Sequence, residues 1–424
     1  MEQECTTILG RREVWGGTQP FGLSTDDRRR HLFVVGKTGS GKTTLLKNLL
    51  IQDIEAGNGV GLIDPHGDLA EEILDCIPPS RSRDVVYFNP ADYEHPIGFN
   101  LLASSDRNSR HLVAAGVVGA FKHIWKDSWG PRLEYLLYAA VFTLLECPSS
   151  SLLGLPRLLT DARYRNSMLQ FVSDPVVRAF WDTEYAEYDK RFRNEVIAPV
   201  QNKVGALLMA SPVRNILGQV RSRVSIPFVM DNGRIFIANL SKGKLGEDKA
   251  SLLGALLVMQ FQLAALSRAD IPEDERKDFF LSIDEFHNFS TNSFASILSE
   301  ARKYRLNLTL AHQYLGQLPD EIRDAVFGNV GSLVSFRVGS SDADVLAREF
   351  DEAYSPRQFT ELENHEVCVK ILDGGKCREP FFGKTLPPLG RDYGRRENII
   401  RHSREKFATR RAVVEDRIKR WIGK

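Results

Sequence analysis

Apolar residues along this chain fall into two rhythms. Between His31 and Phe88, short unbroken apolar runs at 31–36, Gly59–Asp64 and Asp84–Phe88 alternate with helically spaced stretches, the first reaching residue 56. Unbroken runs of this length suit strands buried on both faces, and their alternation with helices predicts a parallel sheet covered on both sides. From 105 to 225 the rhythm changes. Leu133, Leu136, Leu137, Ala140, Val141 and Leu144 fall at i, i+3, i+4, i+7, i+8 and i+11, one face of a helix. Strand signals nearly vanish there and charges crowd Asp182–Glu195, so 105–225 reads as an all-helical unit inserted into an α/β domain.

The strand pattern returns at Gly233–Leu240, Asp278–Asp284, Leu306–Ala311 and Ser332–Val338, with helices over 249–267 and 342–350. A last pair, Val367–Leu372 and Pro380–Gly383, is expected to close the sheet edge. The expected organisation is a polar extension over 1–30, an α/β domain from 31–104 and 226–390, the helical insertion 105–225, and a tail over 391–424.

Composition adds little until it is divided along the chain. Hydrophobic content of 42% and charged content of 26% are ordinary for a globular protein, and 424 residues suffice for two or three structural units. Net charge is +1, yet Arg391–Lys424 holds 12 Lys/Arg against 5 Asp/Glu, leaving 44 against 50 elsewhere. Such a tail suits an acidic partner such as nucleic acid; the interleaved Glu405, Glu415 and Asp416 equally suit a solvated helix of mixed charge. The cysteines (Cys5, Cys76, Cys147, Cys368, Cys377) are odd in number and lack CxxC spacing, which argues for a reducing compartment and against a disulfide framework or thiolate zinc site. The apolar runs Leu133–Leu145 and Leu252–Leu266 are too short to span a bilayer and contain Glu134, Gln260 and Gln262, so a cytoplasmic protein without a membrane span is expected.

The strongest chemical signal follows the first strand. Gly36, Lys37, Thr38, Gly39, Ser40, Gly41, Lys42 and Thr43 form a complete phosphate-cradling loop, with Thr44 continuing into a helix. Glycines let such a backbone turn its N–H groups onto an anion, and the helix N-terminus adds a positive dipole. Lys42 is spaced to bridge the β- and γ-phosphates of ATP or GTP, and the Thr43 hydroxyl to ligate Mg²⁺. Asp284 and Glu285 end the run Phe279–Ile283, where one carboxylate would hold the Mg²⁺ shell and the next would orient attacking water. An acidic pair capping a helix is the plainer alternative.

The neighbouring strand LNLTLAHQ ends at His312 and Gln313. Gln313 could touch the γ-phosphate or its water, or simply be a hydrogen-bonded core residue, whereas His312 reads as structural. Arg302 and Arg337 are two candidates for an arginine finger, with a surface ion pair as the alternative for each. The turn Asp64-Pro65-His66-Gly67-Asp68 has ligand types for a metal, but also the Pro and Gly of an ordinary turn with Asp68 capping the next helix.

Taken in order, GKTGSGKTTLL (36–46), LIDPHGDLAEEIL (62–74), VVYFNPADYEHPIGFNLL (85–102), DSWGPRLEYLL (127–137), SIDEFHNF (282–289), SEARKYRLNLTLAHQYLGQL (299–318) and FRVGSSDADVLAREF (336–350) resemble the HerA/FtsK superfamily. Within it they resemble the TraD/TraG-type coupling ATPases of type IV secretion and conjugation. The resemblance implies a RecA-like P-loop ATPase core with an all-α insertion, using ATP and Mg²⁺, assembled as a homohexamer that moves DNA through its ring. It carries over Lys42 and Thr43 as nucleotide and metal ligands, Asp284 and Glu285 as the Walker B pair, Gln313 as sensor and Arg302 as finger.

Pore contacts should then be sequence-independent, with Lys242, Lys244 and the tail as candidates beside the plain reading of an exposed loop. The 30 residues ahead of His31 match neither the transmembrane helices nor the β-barrel that precede such motors, so docking to a membrane or mobile-element protein is expected. The alternative within the superfamily is a DNA-processing or defence motor acting with a nuclease. A kinase would need an acceptor lid and a GTPase an NKxD-type base reader, neither of which the sequence offers. A nucleotide-gated scaffold finds no support in the intact motifs.

Overall fold

The unbroken apolar runs become the central strands of a large sheet. The structure, a computed structural model, describes residues 6–103, 107–291 and 294–423, so Cys5 and Lys424 lie outside the described residues. In chain order the sheet-forming unit contains β1 (Thr6–Val14), β2 (Gly17–Ser24), helix α1 (Thr25–Arg28), β3 (Leu32–Val35), α2 (Lys42–Glu55), β4 (Gly59–Asp64), α3 (Asp68–Cys76) and β5 (Val85–Phe88). After the helical segment come β6 (Ile235–Asn239), β7 (Phe279–Ile283), β8 (Leu306–His312), β9 (Ser332–Ser335), β10 (Glu366–Lys370), β11 (Leu372–Asp373), β12 (Lys376–Cys377) and β13 (Phe381–Thr385).

Eleven strands pair in the order β2-β1-β13-β10-β9-β3-β8-β7-β4-β6-β5. From β9 to β5 every neighbouring pair is parallel; from β9 outward through β10, β13, β1 and β2 every pair is antiparallel. β3, β4, β7 and β8 are buried along their whole length, as strands with helices on both faces must be. On one face Val34 and Leu62 join Leu45 and Leu49 of α2 and Leu69 and Ile73 of α3 in a single core cluster. On the other face Phe33 meets Phe327 of the helix Asp320–Asn329, ring centroids 5.9 Å apart.

The edge differs from expectation. β10 and β13 do not close the sheet, because residues 6–24, read as a polar extension, add β1 and β2 beyond them. Their apolar signal is short: Leu9, Phe21 and Leu23 are buried while Gly17–Pro20 are exposed, so no continuous run announces the strands. An ion pair fastens this segment. The Arg28 guanidinium forks onto Asp53 at 2.6 and 2.8 Å, donates to the Thr7 hydroxyl at 2.9 Å, and lies 3.9 Å from the Phe280 ring centroid. Both charged residues are buried, so Asp53→Ala leaves an uncompensated cation inside and is expected to cost about 3–5 kcal/mol. A denaturant midpoint barely moved from that of the wild type would contradict this.

The chain divides into two compact units: one through Phe88 with Ile226–Ser241 and Ala264–Ser403, the other Asn89–Ser225 with Lys242–Leu263 and the chain from Arg404 onward. The helical unit thus begins earlier than residue 105 and takes in two later segments of the sequence. Tyr93 donates to the Lys244 carbonyl at 3.2 Å, a contact that ties Lys242–Leu263 into it. Within this unit the stripe Leu133, Leu136, Leu137, Ala140, Val141 and Leu144 is buried, as its spacing predicted. Among the described residues one helix, Glu247–Asp270, is long and apolar enough to cross a membrane, longer than the run Leu252–Leu266 suggested. Of its apolar window 67% is buried inside the protein, as in a core helix.

Candidate functional site

β3 delivers the phosphate-type loop to the carboxyl edge of the parallel strands, with β8 and β9 on either side. The loop is pinned to both. Gly36 N–H donates to the His312 carbonyl at 3.2 Å and Lys37 N–H to the Arg337 carbonyl at 2.8 Å. His365 N–H donates to the Ser40 carbonyl at 2.8 Å, and the Ser40 hydroxyl to the Lys37 carbonyl at 2.7 Å. Two glycines are obligatory here: a Cβ on Gly36 would sit 2.5 Å from the Phe336 Cβ, and Gly41 caps α2 at φ +119°. Lys37, Thr38, Gly39 and Thr43 are exposed, and Thr44 is half-buried. A cavity of about 480 Å³ opens beside Lys37 and Thr38, lined also by Gln313, Tyr314 and Asp342.

Lys42 is buried, its amine donating to the carbonyls of Gly36 at 2.5 Å and Lys37 at 3.3 Å. Burial lowers its proton affinity, while Glu285 and Asp284 pull the other way. The structure therefore brings the lysine and the acidic pair together. Asp284 N–H donates to the Ile63 carbonyl at 3.1 Å, which carries the β4–β7 pairing to the site and sets Asp284 beside Asp64. Burial, then Asp64 and Glu285, push the Asp284 carboxyl up to about 7.

Because that value lies above the ordinary 3.8, ionised Asp284 weakens the native state fully above pH 7 and not at all below about pH 4. Asp284→Asn is accordingly expected to be more stable than the wild type at pH 8, by a few kcal/mol at about 1.4 per pKa unit. The gain should fade as pH falls through 7 towards 4, and denaturation curves showing a pH-independent difference would refute the assignment.

Glu285 occupies the left-handed region at φ +45°, a strained conformation for a residue with a side chain. Its Oε2 is buried without a hydrogen bond, and His287 Nδ1 stands 3.6 Å away. From the tip of β8, Gln313 donates its amide to the Thr38 hydroxyl at 2.5 Å, which joins the strand to the loop. The two arginines part company. Arg337 lies just past β9 with its side chain donating to Asn364 Oδ1 at 3.3 Å, at the loop's own end of the strands. Arg302 is exposed ahead of β8, at the opposite end, where burial of His31 and then the Arg302 charge hold that histidine down at about 4. The fold does not bring Arg302 to this chain's own loop.

The turn after β4 is a turn. Asp64 accepts from His66 N–H at 2.8 Å and Ala70 N–H at 2.9 Å, so Asp64 rather than Asp68 fastens the start of α3. Four of the tail's arginines have carboxylate partners nearby: Arg396 pairs with Glu71 and Asp75, Arg404 with Asp92, Arg411 with Glu94 and Glu415, and Arg420 with Asp416. Of the two readings of the tail, that pairing favours the helix of mixed charge. Lys244 is exposed and Lys242 half-buried on a short helical turn. The sequence reading did not single out Asp64 as a neighbour of Asp284, nor His287 and Tyr314; the motif DPHGD and the His of DEFHNF were the available signals.

The family model for the type IV secretion-system coupling protein DNA-binding domain matches residues 17–335. Comparison with curated protein sequences gave no match. Among solved structures the chain is similar to the bacterial conjugative coupling protein TrwBΔN70, at 16% identity and TM-score 0.63 over 88% of each chain. It is similar to TrwB in complex with ADP and Mg²⁺, at 17% identity and TM-score 0.63 over 88% of this chain and 89% of that one. VirB4 of Thermoanaerobacter pseudethanolicus is similar at 15% identity and TM-score 0.56, over 90% and 96%. At such identities the likeness is one of fold, and the match over 17–335 supplies the family: this chain belongs to the type IV secretion-system coupling protein DNA-binding domain family.

Proposed function

We propose that this chain is an ATP-hydrolysing DNA translocase of the coupling-protein type, working as a hexameric ring. The observation that carries the reading is the convergence of Lys42, Asp284–Glu285 and Gln313 on the ends of the adjacent strands β3, β7 and β8. The residues fit a nucleotide. A buried amine held by loop carbonyls is ready to turn onto phosphate, and glycine at 36 and 41 lets the loop pack against Phe336 and His365.

In this reading the loop N–H groups and Lys42 grip the β- and γ-phosphates of ATP, and the Thr43 hydroxyl and Asp284 hold Mg²⁺. The metal supplies neutralisation of charge at those phosphates. Glu285 orients the attacking water and takes up its proton. Gln313, tied to Thr38, registers whether the γ-phosphate is present. Arg302, remote from its own loop, reaches the nucleotide of the next subunit. Lys242 and Lys244 are assigned to DNA phosphates, without base specificity. The ring works in the cytoplasm and docks to a membrane or mobile-element protein.

Motor action is tested by displacement of streptavidin from a biotinylated DNA end. ATP should drive displacement, and a non-hydrolysable analogue should not. Equal displacement with both, or none with ATP under conditions where ATP is hydrolysed, would rule out translocation.

A further inference from the structure

Beside the hydrolytic carboxylate stand groups with a second kind of chemistry. Glu285, His287 and His312 each present one ligand-type atom, all within 4.8 Å of one another. His312 is fully buried at the end of β8, and neither ring nitrogen makes a well-formed hydrogen bond, although the Tyr314 backbone pulls on its proton affinity from nearby. The two imidazoles meet edge to face, centroids 5.1 Å apart, with the buried Glu285 Oε2 close to His287 Nδ1. Behind His287, its Nε2 lies 3.4 Å from the Gln317 amide nitrogen, and Gln317 Oε1 is without a partner. Turning that amide over lets Oε1 accept the Nε2 proton and puts the ring's lone pair on Nδ1, the usual second support of a metal-binding histidine.

We propose that Glu285, His287 and His312 form a three-ligand site for a divalent transition metal of the zinc class, which withdraws Glu285 from hydrolysis when filled. Two imidazoles and a carboxylate leave a fourth tetrahedral position for water. Nitrogen donors select zinc or cobalt over magnesium, so the site is chemically separate from the Thr43–Asp284 position assigned to Mg²⁺. Metal–ligand bonds of about 2.0–2.2 Å require the three side chains to close in by roughly 1 Å. Asp64 and Asp284 favour a cation here, and Lys42 opposes it. The binding half of the proposal stands on geometry alone; the inhibitory half rests on Glu285 acting in hydrolysis.

Cobalt(II) titrated into the full-length protein without nucleotide tests the binding. One equivalent should give the visible absorption of a tetrahedral nitrogen–oxygen site, displaced by zinc. His287→Gln should weaken binding beyond the ~10–100-fold that loss of an outer-shell partner costs, and Gln317→Ala should weaken it by about tenfold. Thiolate-to-metal absorption, which exposed Cys377 could supply, or binding unchanged in His287→Gln, would overturn the site. Zinc should then slow ATP hydrolysis stoichiometrically in the wild type, and His287→Gln, compared with its own zinc-free rate, should escape. If cobalt binds as described but Glu285→Gln hydrolyses ATP normally, the functional reading falls and the metal site stands. If hydrolysis needs Glu285 and no cobalt spectrum forms, the metal site alone falls.

Discussion

Arg302→Ala is expected to lower the rate of ATP hydrolysis by about 10³–10⁵-fold while leaving nucleotide affinity near that of the wild type. An arginine finger neutralises charge that develops on the transferring phosphoryl group, so its loss is felt in the transition state rather than in binding. Placement decides how the test is built. Arg302 precedes β8, whereas the loop follows β3, a parallel neighbour, so the two lie at opposite ends of the strands. In the proposed ring, the loop it serves would therefore be a neighbouring subunit's. Mixing Arg302→Ala with Glu285→Gln should therefore restore activity, because a subunit with an intact Glu285 can receive Arg302 from its neighbour. Arg337→Ala offers the contrast: Arg337 stands beside its own loop, and a defect there should not be rescued in the same mixture. Absence of rescue for Arg302→Ala would exclude a shared site.

Glu285→Gln should hold ATP and turn it over about 10²–10⁴-fold more slowly, the contribution of a positioned proton acceptor. The substitution keeps the shape of the side chain and its left-handed backbone, so lost folding should not mask lost chemistry. Lys42 is the useful comparison. Its amine already sits among the Gly36 and Lys37 carbonyls, and Lys42→Ala should fail at nucleotide binding, before chemistry is reached. Equilibrium binding of a fluorescent ATP analogue separates the two: retained for Glu285→Gln, lost for Lys42→Ala. Loss of binding in both would move Glu285 from hydrolysis to grip.

What was legible in the sequence follows from how many residues carry each signal. β3, β4, β7 and β8 are buried on both faces, so their apolar runs are unbroken and stand out, and the loop after β3 is fixed by glycines no other residue replaces. β1 and β2 escaped notice because their apolar signal is short, here Leu9, Phe21 and Leu23. The division into units was also obscured, since Lys242–Leu263 and the end of the tail join the helical unit through contacts distant in sequence. Composition likewise counted the tail's arginines without revealing their carboxylate partners, most of them outside 391–424. Asp64 beside Asp284 and His287 beside Glu285 arise from strand register and a strained turn, neither of which a motif records.

The central claim is that hydrolysis at Lys42, Asp284 and Glu285 is coupled to DNA. The direct measurement is the steady-state ATPase rate of the wild type with and without DNA, across a range of salt concentrations. The account predicts stimulation by DNA of any sequence, weakening steadily as salt rises because the contacts are to phosphates, and abolished in Glu285→Gln. A rate that DNA leaves unchanged at every salt concentration would contradict it.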